Sequence, residues 1–276
     1  MIQAGALDSL DYNRKQMLTY YDQMFDSVNT QNQHVISGQM SLFGATETEQ
    51  ELSLPDMQDF SVSEKLQMEK KACGMYLSGY PLDVWTWCRQ ILHCEEIRNI
   101  QNHPDGSQIK LLCLVNSCKK YQTKQNSDMC FLRLEDRSGM TEAVVFPNLY
   151  PSVRELLHEG SILYLTGKIS RKNQNLNLIC ESIQEQENFQ AFLNSMQLCL
   201  KVSHSREDLQ KLQKLPDICR EYPGNTEIIL FFTDTKTYAR PKQKFSVRIS
   251  ENSYQKISRL FGTENIGCIP VKHAVP

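Results

Sequence analysis

The chain has 276 residues, which is the length of about two domains. Hydrophobic residues make up 40% of it and the formal net charge is −2, so it can bury cores and is neither a strongly basic nor a strongly acidic protein. No apolar run approaches the ~20 residues that span a bilayer, and the N-terminus lacks the pattern of a secretory signal. We therefore expect a cytoplasmic protein with no membrane association.

The ten cysteines and six histidines lack the paired spacing of a zinc site. There is no C-x-x-C, and the closest pair is Cys113 and Cys118. This pattern predicts reduced, mostly buried thiols and no metal site.

The first 60 residues divide into a helical segment and a polar one. One apolar stripe at helical spacing predicts a helix that packs against another part of the protein; it comprises Met17, Leu18, Tyr21, Met24, Phe25 and Val28. Residues 29–60 lose this periodicity and are rich in Gln, Asn, Ser, Thr and Glu, which predicts a flexible linker. We assign 1–28 to the helical segment.

Residues 61–108 are predicted to form a helical connector. Ser61 and Glu64 have the spacing of a capping box, which opens a helix that passes Cys73 and Leu77 and stops at Gly79-Tyr80-Pro81. A stretch with two tryptophans, Trp85 and Trp87, follows and predicts a short helix that docks onto the next domain.

The periodicity changes to that of strands at Ile109. The expected order is three strands, a helix and a hairpin, with these bounds: Ile109–Asn116, Met129–Glu135, Thr141–Phe146, helix Tyr150–His158, Ile162–Ser170 and Leu176–Ser182. This order is typical of a five-stranded OB barrel, which we assign to 109–187.

Residues 188–276 predict a small α+β domain. After a connector the expected order is strand, helix, two strands, helix and strand, the split βαβ arrangement; the bounds are Met196–Val202, Glu207–Tyr222, Glu227–Phe232, Lys244–Ile249, Ser253–Gly262 and a last strand to Val271. Pro216 is expected to break the first helix, and Leu209, Leu212, Ile218, Ile257 and Leu260 are expected to form its core. The whole chain is thus predicted to be multi-domain α+β.

No pattern of catalytic residues is found. Nucleotidyl transfer needs clustered carboxylates that hold two metal ions, but D-x-D does not occur, and the glutamate-rich runs lie in polar segments. There is also no P-loop, G-x-S-x-G or H-E-x-x-H. We expect no catalytic residue and no cofactor in this chain.

A pentapeptide in the predicted linker, Gln39-Met40-Ser41-Leu42-Phe43, has the form of a docking peptide. It resembles the motif by which bacterial proteins bind the ring-shaped sliding clamp. Leu42 and Phe43 can fill an apolar pocket, while Gln39 can form hydrogen bonds at its rim. The alternative is that Leu42 and Phe43 hold together a compact loop.

The predicted barrel has candidate nucleic-acid contacts. Between residues 109 and 183 there are ten Lys and Arg against seven acids. Alternation along the second strand places Phe131 and Arg133 on the outer face if Cys130, Leu132 and Leu134 fill the barrel. The two loops that flank an OB groove supply the other candidates, namely Lys119, Lys120, Tyr121, Lys124, Lys168, Arg171 and Lys172. The alternative is that these surface loops are simply basic.

Several segments, in this order along the chain, resemble the C-terminal region of the alpha subunit of bacterial DNA polymerase III. They are residues 2–10 with Asn13-Arg14, the pentapeptide 39–43, Glu69-Lys70 with 74–82, Leu134–Gly139, Val144–Pro147 and Thr166-Gly167. Family members usually have His where Tyr80 stands. The resemblance covers essentially the whole chain, more loosely after Ile183.

The resemblance implies that residues 1–28 end the fingers region and that 39–43 binds the sliding clamp. It also implies that the barrel contacts single-stranded template DNA, that the region after Met196 binds the tau subunit of the clamp loader, and that the parent is a DNA-directed DNA polymerase using Mg²⁺ held outside this chain. A C-terminal block that merely supports the barrel stays open. So does an independent nucleic-acid module, such as a tRNA synthetase anticodon-binding domain or a DNA-repair accessory.

Overall fold

A computed structural model of the chain describes residues 1–26, 29, 54–172, 175–241 and 245–271. These residues form two compact units, 1–81 and 82–276. The barrel and the C-terminal sheet both belong to the second unit. The predicted boundary between 187 and 188 therefore separates two sheets of one compact unit.

The first unit begins with short helices. A 3-10 turn covers Ile2–Ala4, α1 covers Arg14–Thr19, and a further helical stretch covers 21–26. Asn13 and Gln16 close a capping box at the start of α1. The prediction of one continuous stripe is wrong: the helix is interrupted at Tyr20, Met17 is buried, and Tyr21 and Phe25 are more than half exposed.

The second helix, α2, covers Val62–Cys73 and starts with the predicted capping box of Ser61 and Glu64. Its end differs from the prediction, because Gly74 adopts a left-handed conformation with φ of 76° and its N–H donates to the carbonyl of Lys70. A glycine reaches this conformation without the cost of a Cβ, so the helix stops five residues before Gly79.

The described end of the predicted linker, 54–60, has no helix or strand but is held to α1. Leu54 is buried, Asn13 Nδ2 donates to the Met57 carbonyl at 2.6 Å, and Gln16 Nε2 donates to the Pro55 carbonyl at 2.8 Å. These bonds fix the chain where it enters α2.

The second unit starts with helical segments. A 3-10 turn covers Asp83–Trp85, α3 covers Thr86–Ile91, and a longer 3-10 helix covers Ile97–Asn102. The helix predicted around the tryptophans is present. It packs against the C-terminal domain, on β10 (Ile266–Pro270) and α8 (Glu251–Phe261), and the carbonyl of its C-cap, Leu92, accepts from Lys110 Nζ of the barrel.

The predicted five-stranded barrel is confirmed. Its strands close in the order β1-β2-β3-β5-β4. Their bounds are β1 Gln108–Gln122, β2 Asp128–Asp136, β3 Gly139–Val145, β4 Ile162–Lys172 and β5 Asn175–Glu185. Between β3 and β4 lie α4, Tyr150–Val153, and a 3-10 turn, Arg154–Leu156. The helix predicted for Tyr150–His158 thus ends earlier, at Leu156, and only its first four residues are α-helical.

Two details explain sequence features of the barrel. In the turn from β2 to β3, the Asp136 carboxylate accepts from the N–H groups of Ile97, Ser138 and Gly139. In β4, a Cβ on Gly167 would lie 2.4 Å from the Ile179 carbonyl oxygen, at a break in register with β5. Only glycine allows this close approach.

The remaining elements form an α+β sheet domain, as predicted. They are α5 Phe189–Asn194, β6 Met196–Val202, α6 Arg206–Gln213, α7 Leu215–Glu221, β7 Thr226–Phe232, β8 Thr237–Ala239, β9 Ser246–Val247, α8 and β10. The first helix breaks next to Pro216, where the sequence predicts it.

The sheet order is β10-β6-β7-β8, with β9 also on β7. Because β6 and β7 are hydrogen-bonded parallel neighbours, the βαβ unit is not split, in contrast to the predicted arrangement. Both short strands β8 and β9 pair with the edge of β7 opposite β6. The order of elements along the chain is the same in both arrangements, so the sequence pattern could not separate them.

The core of this domain also differs from the prediction in one helix. Ile257 of α8 is buried, but α6 buries no residue and Leu209 is 45% exposed. Leu212, Ile218 and Leu260 are half-buried.

All ten cysteines lie in the described ranges and none forms a disulfide. In the same ranges no helix is long and apolar enough to cross a bilayer. Nor do three or more His, Cys, Asp or Glu side chains gather there in an arrangement that could hold a metal ion.

Candidate nucleic-acid interface

Strand β2 divides its side chains between the inside and the outside of the barrel. Cys130, Leu132 and Leu134 are at most 2% exposed, whereas Phe131 is 42% exposed and Arg133 is exposed. The predicted orientation of Phe131 and Arg133 agrees with the structure, and their contact with DNA stays a prediction. Glu135 is buried, and its carboxylate accepts from Asn116 Nδ2.

Aromatic side chains gather beside Phe131 on this outer face. Lys119 of β1 pairs with Phe131 in register, and Tyr121 packs edge-on against it with ring centroids 6.1 Å apart. Tyr121 is 60% exposed. Phe146, one residue past β3 and 42% exposed, follows the same alternation from Val144, the partner of Phe131. Sequence reasoning missed Phe146, although the alternation along Val144–Phe146 could have identified it.

The cations on the β1–β2 side are available to a ligand. Lys119, Lys120, Lys124 and Arg133 are exposed, and none of them has an ion pair with another described residue. Lys119, Lys120 and Tyr121 lie in β1, and Lys124 lies in the turn that follows it. We call Lys119, Tyr121, Phe131, Arg133 and Phe146 the aromatic face. Lys120 pairs with Cys130 and so lies on the opposite face of the strand pair.

The cations on the β4–β5 side are engaged within the protein. Lys168 forms an ion pair with Glu181 at 2.6 Å. Arg171 Nη2 donates to the carbonyls of Gln101 and His103 at 2.6 and 2.9 Å, so its guanidinium fixes the loop before β1. The side chain of Lys172 lies outside the described residues. The sequence analysis treated the two flanking loops as equivalent candidates. In the structure they differ, because the cations of the β4–β5 side are bound within the protein.

A groove of about 370 Å³ continues from Arg133 across β3. It lies between the 3-10 helix Ile97–Asn102 and β3. Its lining includes Ile97, Arg98, Ile100, Arg133, Met140 and Leu176. Met140 is 53% exposed. Sequence reasoning missed Arg98 and Met140. For Arg98 the reason is that the 3-10 helix Ile97–Asn102 has no periodic signal that predicts its orientation.

The charge of the groove is partly balanced. Arg98 forms an ion pair with Glu96 at 2.5 Å, and Arg89 binds the same carboxylate at 2.7 Å. The hydrogen bond from Arg89, together with the one from Arg98, outweighs burial and holds the pKa of Glu96 below its ordinary value. Glu96 is thus ionised at neutral pH and pairs with Arg98 beside the groove.

The chemistry of this surface is that of binding. Exposed aromatic rings offer faces to stacked bases, and unpaired lysines attract phosphates. The pentapeptide 39–43, with Gln39, Met40, Ser41, Leu42 and Phe43, lies outside the described residues.

Comparison with known proteins agrees with this architecture. Residues 114–185 match the tRNA_anti-codon family, which is described as an OB-fold nucleic acid binding domain. The chain is 27% identical over 258 residues to the DNA polymerase III subunit alpha of Borreliella burgdorferi, and 24% identical over 273 residues to that of Bacillus subtilis. These matches cover 91% and 96% of the chain. Over most of its length the chain is similar in sequence to DNA polymerase III alpha subunits.

The resemblance predicted from the sequence is thereby confirmed, and its reach beyond the barrel favours it over an independent OB module. The chain spans 22% and 24% of the length of these two relatives. Among solved structures, the mitochondrial single-stranded DNA binding protein Rim1 of S. cerevisiae matches 30% of the chain and 97% of its own, at 14% identity and a TM-score of 0.26. A likeness this small carries no argument.

Proposed function

We propose that the chain is the C-terminal, non-catalytic part of a replicative polymerase and that its barrel binds the single-stranded template. The observation that carries this proposal is the aromatic face, where Tyr121 and Phe131 are exposed beside Lys119 and Arg133, two cations without ion pairs in the described ranges. In this proposal the parent protein extends DNA with Mg²⁺ ions held by residues outside this chain.

The physical reason is that a folded protein rarely leaves such groups together without a partner. Stacking of a base on an exposed aromatic ring removes both surfaces from water and typically stabilises the complex by about 1–3 kcal/mol for each base. Lysines that bind phosphates release counterions from DNA, which adds affinity that does not depend on sequence. Single strands fit this surface better than a duplex, since duplex bases are not free to stack on protein rings.

The groove beside Arg133 supplies a continuation of the same track. Its apolar floor, with Ile97, Ile100 and Leu176, suits a base, and Arg133 suits a flanking phosphate. We propose that the strand runs from the β1–β2 turn, over Phe131, to this groove.

Binding of a fluorescein-labelled thymidine oligonucleotide to the full chain tests the proposal. Affinity is expected to fall steeply with salt, and Phe131→Ala is expected to cost about 1–3 kcal/mol. Changing Lys119 and Lys120 together to Ala is expected to flatten the salt dependence. The control is Tyr238→Ala, which removes an equally exposed ring from the C-terminal sheet. Equal losses for Phe131→Ala and Tyr238→Ala, or a preference for duplex, would contradict the proposal.

We also propose that Gln39–Phe43 tethers the polymerase to the sliding clamp, a proposal that rests on the sequence motif. A labelled 35–47 peptide is expected to bind a bacterial sliding clamp with a micromolar Kd, about −7 to −8 kcal/mol. Changing Leu42 and Phe43 to Ala removes both apolar anchors and is expected to abolish most of the binding. Changing Thr46 to Ala, outside the motif, serves as control. Equal polarisation curves for the wild-type peptide and the double variant would show that Gln39–Phe43 is not a clamp-binding motif.

For the C-terminal domain we propose a contact with the tau subunit through α6. Support comes from Leu209, which is 45% exposed on a helix that buries no residue. Leu209→Glu is expected to abolish co-migration of the full chain with tau on a sizing column, whereas Val84→Glu, at another exposed apolar position, is expected to keep it. If the wild type fails to co-migrate, the domain only supports the barrel; if Leu209→Glu still co-migrates, tau binds elsewhere.

A further inference from the structure

Two cysteine sulfurs lie side by side at the base of the β1–β2 loop. The Sγ atoms of Cys118 and Cys130 are 2.8 Å apart, against about 2.05 Å in a disulfide. The register pairs Cys118 with Leu132 and Lys120 with Cys130, so the two cysteines are diagonal neighbours on one face of an antiparallel pair.

This pair differs from the other cysteines in contact and in access. No other two of the ten cysteines, all of which lie in the described ranges, have their sulfurs in hydrogen-bond contact. Cys130 is fully buried, whereas Cys118 is half-buried at the edge of the barrel core. Cys118 is therefore the more accessible of the two to a reagent in solvent, and the Cys130 sulfur is in contact with it.

We propose that Cys118 and Cys130 form an oxidative modification site, which hydrogen peroxide converts to an intramolecular disulfide. The Cys118 thiolate attacks one peroxide oxygen, the O–O bond breaks, and the departing hydroxide takes a proton to become water. Cys118 is then a sulfenic acid. The Cys130 sulfur attacks the Cys118 sulfur, the S–O bond breaks, and the hydroxyl leaves as water with the Cys130 proton. Two thiols lose two electrons in total, and one peroxide becomes two waters.

The surroundings assign the order of the two steps. Burial, together with the Cys118 contact, raises the pKa of Cys130 to about 12, so at neutral pH Cys130 is protonated and does not compete for peroxide. The product encloses residues 118–130, the loop that carries Lys119, Lys120, Tyr121 and Lys124. Restricting this loop in the unfolded chain stabilises the folded barrel. The inference does not depend on nucleic-acid binding.

The test treats the reduced full chain with hydrogen peroxide, blocks remaining thiols with N-ethylmaleimide and maps the peptides by mass spectrometry. We expect a peptide pair that joins Cys118 to Cys130, lighter by two hydrogens and lost after dithiothreitol. The melting temperature of the oxidised chain is expected to exceed that of the reduced chain. Cys118→Ser is expected to abolish the link, and Cys73→Ser, at an exposed cysteine, is expected to keep it.

A folded wild-type chain that gives no Cys118–Cys130 link would overturn the inference. So would links of similar yield between other cysteines, since they would indicate non-specific oxidation. Circular dichroism of each variant shows whether it is folded. Should Cys118→Ser fail to fold, Cys118→Ala replaces it, and the wild-type peptide map alone still decides whether the link forms.

Discussion

Glu69 shows how a single residue can join distant parts of the first unit. Its carboxylate is fully buried, binds Arg14 at 2.8 Å, and accepts from the N–H groups of Leu77 and Ser78 at 2.8 and 2.9 Å. Arg14 is 1% exposed and also binds Asp8. We expect Glu69→Gln to destabilise this unit by about 3–5 kcal/mol, because it leaves a buried guanidinium short of charge. Hydrogen exchange of the α2 amides measures this loss.

The same pair has a definite pH dependence. Burial alone would raise the pKa of Glu69, but the bonds from Ser78, Arg14 and Leu77 outweigh it and lower the pKa to about 2. A carboxylate with a lowered folded pKa stabilises above its unfolded pKa of about 4.3, and this contribution is lost as pH falls toward 2. The difference between wild type and Glu69→Gln should thus shrink across that range. A constant difference, or a similar effect of Asp56→Asn at an exposed position, would contradict this account.

Residue-scale contacts were the least predictable from the sequence. Asn13-Arg14 and Glu69-Lys70 were both noted as points of resemblance to polymerase alpha subunits, yet nothing in their spacing indicated that Arg14 and Glu69 touch. Likewise, Lys168 and Arg171 matched the composition of a nucleic-acid loop, but their partners Glu181 and the 101–103 carbonyls come from other elements. Composition predicts charge, whereas only the fold determines which charges are paired.

At the scale of elements, strand order in the barrel was predictable because alternation and turn residues act locally. The end of α2 was not, since both Gly74 and Gly79 could stop a helix and only Gly74 takes the left-handed conformation. Thr166-Gly167 was noted from resemblance, and the structure supplies its reason. We expect Gly167→Ala to cost about 1–3 kcal/mol, because its Cβ would meet the Ile179 carbonyl at 2.4 Å and force β4 from β5.

Gly139→Ala is the matched control for this prediction. It lies in the same barrel, its conformation suits other residues, and a Cβ there would meet Ile97 Cγ2 at 3.8 Å, an ordinary contact. Urea unfolding followed by tryptophan fluorescence gives both free energies of unfolding. Equal values for the two variants would mean that β4 and β5 relax around the added methyl group.

At the scale of the whole molecule, the barrel and the C-terminal sheet share packing that their sequence patterns treat separately. Phe189 of α5 is 2% exposed and meets Trp85 edge-on at 5.1 Å, while Phe192 packs on Tyr164 of β4 at 5.1 Å. Tyr254 of α8 also donates to Gln90 Oε1 at 3.1 Å. The segment 82–94 and α5 therefore connect two sheets that the predicted domain bounds keep apart.

This packing predicts that residues 82–271 unfold together. Phe189→Ala removes a buried ring at the junction and is expected to cost about 3–5 kcal/mol. Because α5, which carries this ring, packs on both β5 and β6, amides of β1 and of β6 should lose protection from hydrogen exchange by similar factors. Phe231→Ala, a half-buried ring of β7 that lies in one sheet only, is the control and should affect β6 more than β1. If Phe189→Ala leaves β1 protected while β6 exchanges, the two sheets unfold independently.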